Sequence, residues 1–445
     1  MRVLIIGAGQ VGESIAADLE DSHEVIIVEI DPDRVDELTY ELDVLAIQGD
    51  GTAVSTLEDA GIERADMVIA STDDDETNIV ACATATAIAD AFTIARVKNT
   101  EYLRTWQRSN KAFGIDFMVC TNLLAAESIV RVIGLPAARD VDPFAGGRVQ
   151  MAEFEVREGS PVADETVADA DRFDSLTFAA ILKNGSVTIP RGETVIRAGD
   201  RVVVIGSPRS VQQFAASVAP QESVGTAEEV VVVGGSEIGY HVARLLEERG
   251  FAPRLVERDH ERARELAEEL PETVVMESDA TDIAFLEREH VGDADVLVAA
   301  LDSDEKNLLV SLLARRLGVE RTVAVIDTTA YVELFEAVGV DVGVSPREVV
   351  AEEITRFTRE GGAENVALIE SDKAEVLEIE VDGDSALAGR PIQDSVSEFP
   401  PGVVIGAITR DDEFVTPRGD TIVQPGDHVV VFVGADVADE VAPLL

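Results

Sequence analysis

Cysteine, aromatic residues and positive charge are all scarce in this chain of 445 residues. Its two cysteines, Cys82 and Cys120, are too few for a disulfide framework and lack metal-ligand spacing, which fits a reducing compartment. Only 36 residues are Lys or Arg, five of them Lys, against 87 Asp or Glu, for a net charge of −51. A partner held through phosphate contacts needs clustered cations, so nucleic acid is excluded as an expected partner. No apolar run reaches the roughly 18–20 residues that cross a bilayer. The N-terminus lacks the basic region, long apolar core and cleavage site of a signal peptide, so a soluble chain starting at Met1 is expected. The five histidines, His23, His241, His260, His290 and His428, show no ligand spacing. No acid–base pair stands out. The expectation is a non-enzyme with no catalytic residue and no metal site.

Against these absences, 46 % of residues are hydrophobic, enough to bury several cores. The acidity is therefore a surface property. In multimolar salt the Debye length falls to about 3 Å or less. Dense carboxylates then stop repelling one another and keep their hydration. The composition resembles that of halophilic cytoplasmic proteins.

Two glycine-rich turns stand 227 residues apart, V-L-I-I-G-A-G-Q-V-G at residues 3 to 12 and V-V-V-V-G-G-S-E-I-G at 230 to 239. The match continues in order through Val28-Glu29 and Val256-Glu257, Gly49-Asp50 and Ser278-Asp279, Ala65-Asp66 and Ala294-Asp295, and Asp75-Glu76 with Asn78 against Asp304-Glu305 with Asn307. A second segment also repeats: residues 190 to 204 and 417 to 431 share nine of fifteen positions. The order is A, B, A′, B′. Part A alternates short apolar runs (3 to 6, 25 to 28, 44 to 47, 67 to 70, 93 to 97) with helical stretches, as βαβ units do. Part B has shorter strands with Gly and Pro turns. The predicted fold class is α/β, with two Rossmann-like parallel-sheet domains, 1–125 and 228–347, each followed by a small α+β domain, 140–221 and 365–445. Residues 219 to 228 read as the linker between halves.

In Gly7-Ala8-Gly9-Gln10-Val11-Gly12 the first glycine permits the strand-to-helix turn, the second lets a pyrophosphate approach, and the third lets helix pack on strand. The helix N-terminus then faces the phosphates. Glu29 ends the second strand, 22 residues after Gly7, where its carboxylate would accept hydrogen bonds from ribose hydroxyls and repel a 2′-phosphate. NAD or an adenine nucleotide is favoured over NADP. In Gly234-Gly235-Ser236-Glu237-Ile238-Gly239, Ser236 replaces the middle glycine, while Glu257 keeps the ribose position. The run Asp73-Asp74-Asp75-Glu76 precedes a predicted helix at Thr77 to Ala89 and reads as dipole-favoured carboxylates rather than a metal site.

These residues resemble the RCK family, regulators of potassium conductance, in a tandem form that covers essentially the whole chain. The likeness rests on Gly7 to Gly12, Gln48-Gly49-Asp50-Gly51, Ala65-Asp66-Met67, Asp75-Glu76-Thr77-Asn78, Ile94-Ala95-Arg96 and Pro425-Gly426-Asp427-His428-Val429. The resemblance implies a cytoplasmic regulator, peripheral to the inner membrane face, that assembles as a homo-oligomeric ring beneath a potassium-translocating membrane subunit of the Trk/Ktr class. It implies NAD(H) as ligand, with ATP or ADP as alternatives. Carried over, Gly7, Ala8, Gly9, Gln10, Val11 and Gly12 would hold the pyrophosphate and Glu29 the ribose. Asp50 and Gly51 would border the adenine, Ser71 and Thr72 would follow the fourth strand, and Arg96 would reach a phosphate. In the second half Gly234, Gly235, Ser236, Glu237, Ile238, Glu257, Asp279 and Ala280 take the matching places. Val325 stands where Arg96 would be and Leu301 where Thr72 would be, so the first half is expected to be the principal site. A regulator of a cation/proton antiporter and an NAD-dependent oxidoreductase are the rival readings. The charge predicts a higher melting temperature in molar than in millimolar KCl, checked by thermal melts; the reverse order contradicts salt adaptation.

Overall fold

The computed structural model describes all residues except 21, 109–111, 136, 184–185, 219–228, 360–364, 370–373, 384, 397–398, 411–412, 435–436, 438–440 and 442–445. The linker expected at 219 to 228 therefore lies outside the described residues. In the first half, six strands form a parallel sheet: Arg2–Ile6, Glu24–Glu29, Leu45–Gln48, Met67–Ala70, Phe92–Val97 and Phe117–Cys120. Their order is third, second, first, fourth, fifth, sixth. The sixth strand extends the five that the apolar runs mark. Alternate residues of the first strand feed opposite faces, Leu4 and Ile6 into one core and Val3 and Ile5 into the other. Both faces are covered by helices, which is why these strands read as unbroken apolar runs.

The second half repeats this sheet in the same order with Val230–Val233, Arg254–Glu257, Val274–Glu277, Val296–Ala299, Arg321–Val325 and Val342–Val344. In each sheet the first and fourth strands pair in parallel but the connections from them wind to opposite sides, opening a crevice at their C-terminal ends. Each glycine turn lies in that crevice.

Each small domain is a five-stranded antiparallel sheet with the same order of corresponding strands; Arg201–Gly206 is central in the first and His428–Gly434 in the second. The two sheets stack face to face. Met151, Ala179, Val203 and Ile205 share one core with Val376, Ala407, Val430 and Phe432. Contact is close enough that a Cβ at Gly406 would meet Ile205 Cδ1 at 2.6 Å.

The helices Thr121–Ile133 and Pro346–Arg359 each leave their own sheet and pack on the other half. Ala126, Ile129, Val130, Val132 and Ile133 enter the core beneath the second sheet. Val350, Ala351 and Ile354 enter the core of the first, against Val11, Ile15 and Leu19. No residue of Thr121–Ile133 is exposed, because the helix is covered by both halves. Ile129 and Ile354 are both fully buried. Truncating either to Ala is expected to cost roughly 2–5 kcal/mol. Since one of the two cores flanking each sheet contains residues of both halves, calorimetry should show one transition moved to lower temperature; a second, separate endotherm for the undamaged half would contradict this coupling.

Candidate functional site

The first glycine turn is built by close approach. Gly7 takes φ +96°, and a Cβ there would lie 2.7 Å from Thr72 Cγ2. A Cβ on Gly12 would lie 2.0 Å from the Gly7 carbonyl oxygen, so only glycine lets the helix Gln10–Leu19 start this near the strand. Gly9 is different: a Cβ there meets nothing within 4 Å. The fold does not require Gly9. Its bare face is open where a phosphate would approach, and this helix has no side-chain cap. The leading N–H groups of a helix have no intrahelical partner, so an uncapped start is available to an anion.

Glu29 turns its carboxylate onto this loop. One oxygen accepts from Ala8 N at 2.6 Å, the other from Ile30 N at 2.8 Å and Asp31 N at 2.9 Å. Arg34, which sequence reasoning missed, donates to the Ala8 carbonyl at 3.0 Å and to Glu13 at 2.6 Å. Its repeat partner Arg262 donates likewise to the Gly235 carbonyl at 2.9 Å. An Arg five residues after each acidic strand end was the available signal. Asp50 accepts from Thr52 N and Oγ1, which hold its carboxyl below the usual range. Gly51 faces Ile6, where a Cβ would come within 2.2 Å. Its role in the structure is packing against the first strand.

Across the crevice, buried Ser71 reaches the Gly7 carbonyl at 3.4 Å. Asn78, fully buried, accepts from Thr72 N and donates to the carbonyls of Thr72 and Arg96, so it ties the fourth and fifth strand ends together. Asn307 does the same for Leu301 and Val325. Arg96 is only 3 % exposed. It donates through Nε to Thr121 Oγ1 at 3.0 Å and towards the Ser71 and Thr72 carbonyls, with Asp73 at 3.6 Å. The guanidinium therefore lies at the crevice floor and anchors the start of the crossover helix.

The acidic run is committed residue by residue. Asp74 caps the helix Asp75–Ile88 through Thr77 N. Asp75 accepts from Lys98 N and Asn99 N, Glu76 from the Tyr102 hydroxyl, and Asp73 from Lys98 Nζ. Burial pushes the Asp73 carboxyl up, but Lys98, Arg96 and Arg347 outweigh it and hold it below its ordinary value. These four carboxylates line a cleft of about 450 Å³ with Lys98, Asn99, Tyr102, Asn122 and, from the second half, Glu237.

The second turn differs in chemistry. Gly234 keeps φ +103° and Glu257 accepts from Gly235 N at 2.7 Å. Ser236, however, donates to the Ala300 carbonyl at 2.7 Å and accepts from Gly239 N, so the helix Glu237–Glu248 carries its own cap. Glu237 adds a carboxylate on the first residue of that helix, 3.3 Å from Arg262. Ile238 packs against the core. Asp279 accepts from Thr281 as Asp50 does from Thr52, and Ala280 is buried in the place of Gly51. The structure thus brings together each set of predicted residues, but only the first turn presents an open, uncapped helix start. Elsewhere, burial pushes the Cys82 thiol up to about 12 and the Cys120 thiol up to about 11, so both stay protonated. Burial, with Arg244 and Arg104, lowers His241 to about 4 and keeps it neutral.

Fold and site define a tandem Rossmann-like protein with a dinucleotide-type glycine turn in each half and a small stacked domain after each. The TrkA-N domain profile matches residues 3–121 and 230–346, and the TrkA-C domain profile matches 151–219 and 376–445. The chain belongs to the TrkA family. It is 37 % identical to a Trk system potassium uptake protein TrkA homolog of Archaeoglobus fulgidus, over 99 % of both chains. It is 34 % identical to the Trk system potassium uptake protein TrkA of Halomonas elongata, over 97 % of this chain and 96 % of that one. Among solved structures, the GsuK channel bound to NAD shares the fold, with TM-score 0.61 and 21 % identity, over 99 % of this chain and 79 % of that one. No helix among the described residues is long and apolar enough to cross a membrane.

Two glycine variants separate site from scaffold. Gly9→Val should leave the melting temperature nearly unchanged and abolish calorimetric NADH binding. Gly12→Ala should lower the melting temperature by forcing the helix off the strand. Equal destabilisation by both variants contradicts the assignment of Gly9 to a ligand.

Proposed function

We propose that this chain is a nucleotide-binding regulatory subunit of a Trk-type potassium uptake system, with NAD(H) bound at the first glycine turn. The observation that carries this reading is the contrast between the two turns: an open, uncapped helix start beside Glu29 in the first, a serine-capped start bearing Glu237 in the second. Gly7 to Gly12 hold the pyrophosphate and Glu29 the ribose, exchanging its bond to Ala8 N for the hydroxyls. Asp50 and Gly51 border the adenine, Ser71 and Thr72 form the opposite wall, and Arg96 at the floor reaches a phosphate. In the second half Gly234 to Ile238, Glu257, Asp279 and Ala280 form a degenerate counterpart. The GsuK channel has been solved bound to NAD and bound to ADP, which supports the ligand class. ATP and ADP compete for the same turn.

No bond is made or broken. A ligand moves a conformational equilibrium only by its differential affinity for the two states. Here the turn abuts the helix Pro346–Arg359 of the other half, so its occupancy bears on how the halves sit. A homo-oligomeric ring at the cytoplasmic membrane face then passes that change to a potassium-translocating membrane subunit. Calorimetry in molar KCl with NADH, NAD⁺, ATP, ADP and NADPH should give one site per chain, with NADPH weakest because Glu29 repels its 2′-phosphate. Two equivalent sites per chain, or heat from none of the five, sinks the reading.

A further inference from the structure

The helix Pro346–Arg359 runs parallel to Gln10–Leu19. Its Phe357 stacks on Phe92 and Phe117, the first residues of the fifth and sixth strands, with centroids 5.1 and 4.4 Å away. That fixes its C-terminal part at the end of the sheet opposite the glycine turn. Its N-terminal part is at the turn end, where Arg347 pairs with Asp327, two residues beyond the strand Arg321–Val325, at 2.6 Å. Thr355 donates to Asp18 at 3.2 Å, which sets the register between the helices. Eight residues upstream on both, about 12 Å at 1.5 Å per residue, Arg347 stands level with Gln10, the first residue after Gly9.

The repeat gives the same juxtaposition independently. Asn122 is the second residue of its crossover helix as Arg347 is of the other, and Glu237 matches Gln10. Asn122 and Glu237 line one cleft. The pairs facing each other are therefore Asn122 with Glu237 at the second turn and Arg347 with Gln10 at the first. The half that has an open phosphate position also receives a guanidinium from its neighbour; the half with a serine cap and a carboxylate receives a neutral amide. Arg347 also acts electrostatically on Asp73 and on Arg96 across the crevice.

We propose that Arg347, carried by the second half's crossover helix, is a phosphate contact of the first glycine turn, and that an entering nucleotide draws it from Asp327. The proposal rests on the first turn binding a nucleotide. Asp327 is a weak competitor, since its side chain is 68 % exposed and exposed ion pairs contribute little. Arg347 is long enough to swing, and its guanidinium suits two phosphate oxygens at once. The site is then complete only when the second half is seated on the first. A nucleotide's phosphates so bind the state in which the crossover helix is docked.

The test is a double-mutant cycle on the full chain, with NADH titrated by calorimetry at fixed KCl. R347Q should weaken binding roughly 10- to 100-fold, the range for loss of a charge-assisted contact. D327N should tighten binding, because it frees Arg347. Adding D327N to R347Q should change nothing further, and R347K should restore part of the affinity. R347Q binding NADH as the wild type does, or D327N weakening binding, overturns the proposal. So does D327N acting equally with and without Arg347. If the wild type and Gly9→Val both bind no nucleotide, the reading of the turn itself has failed, whereas an effect of Gly9→Val without one of R347Q removes Arg347 alone.

Discussion

Reciprocal burial of two crossover helices is the constraint on which the rest of this molecule depends. Each helix leaves one Rossmann-like sheet and completes the core of the other. One of the two cores flanking each sheet is then closed only by the other half. A buried Val or Ile contributes roughly 1.5–3 kcal/mol, and the two helices place eight apolar residues in the partner half's cores. The same exchange orients the crevices, because the start of each crossover helix lies beside a glycine turn. It also delivers the small domains to one place, where their sheets stack across Ile205 and Gly406.

The two helices are fastened by different chemistry at equivalent positions. Arg321, 5 % exposed, opens the fifth strand of the second sheet and donates to the carbonyls of Val132, Leu135 and Ala138. Those are carbonyls at and just past the C-terminus of the first crossover helix, where a cation is favoured by the helix dipole. In the first half Phe92 opens the fifth strand, and it stacks with Phe357 instead. Scarce cations are spent at such junctions. Asp341 receives Arg157 from the first small domain and Arg315 from its own half, and Arg139 bridges Glu155 to Glu336. All four are arginines, whose planar fork holds a partner in fixed geometry. Salt screens exposed pairs such as Arg264–Glu268 and screens partly buried ones much less, so these four junction arginines keep more of their effect than the exposed ones.

Much of this was legible in the residues. The glycine turns, the acidic strand ends and the repeat spacing point to two parallel sheets because each depends on local backbone geometry: a positive φ at Gly7, a third glycine at Gly12, an alternation of strand and helix. The small domains followed from the repeated Pro-Arg-Gly and Gly-Asp segments. What sequence pattern does not carry is which half a helix packs on. Residues 126 to 139 and 348 to 364 fell between the expected domains, and they hold the ends of both crossover helices. Arg321 was opaque because the carbonyls it holds lie across that exchange. Gly9 was assigned to phosphate approach by motif alone; the structure adds the reason it differs from Gly7 and Gly12, namely that nothing in the protein fills the space beside it.

The two turns show how a repeated fold divides labour. In the second half every group that would serve an anion has been turned inward: the Ser236 hydroxyl satisfies Gly239 N and Ala300 O, Glu237 occupies the positive end of the helix dipole, and Arg262 is held by Glu237 and the Gly235 carbonyl. Such a helix start is satisfied without ligand. In the first half Arg34 is held in the same way, but the helix start stays uncapped and the space beside Gly9 open, and the floor residue Arg96 is bonded to Thr121, the first residue of the crossover helix. The helix start of the second half is therefore satisfied within the protein, while that of the first lies open above the root of the element that joins the halves. On the proposed reading, two identical sites would act on the two crossover helices alike, whereas a ligand at the first turn alone would act on one helix and not the other, the asymmetry by which occupancy can become a change of shape.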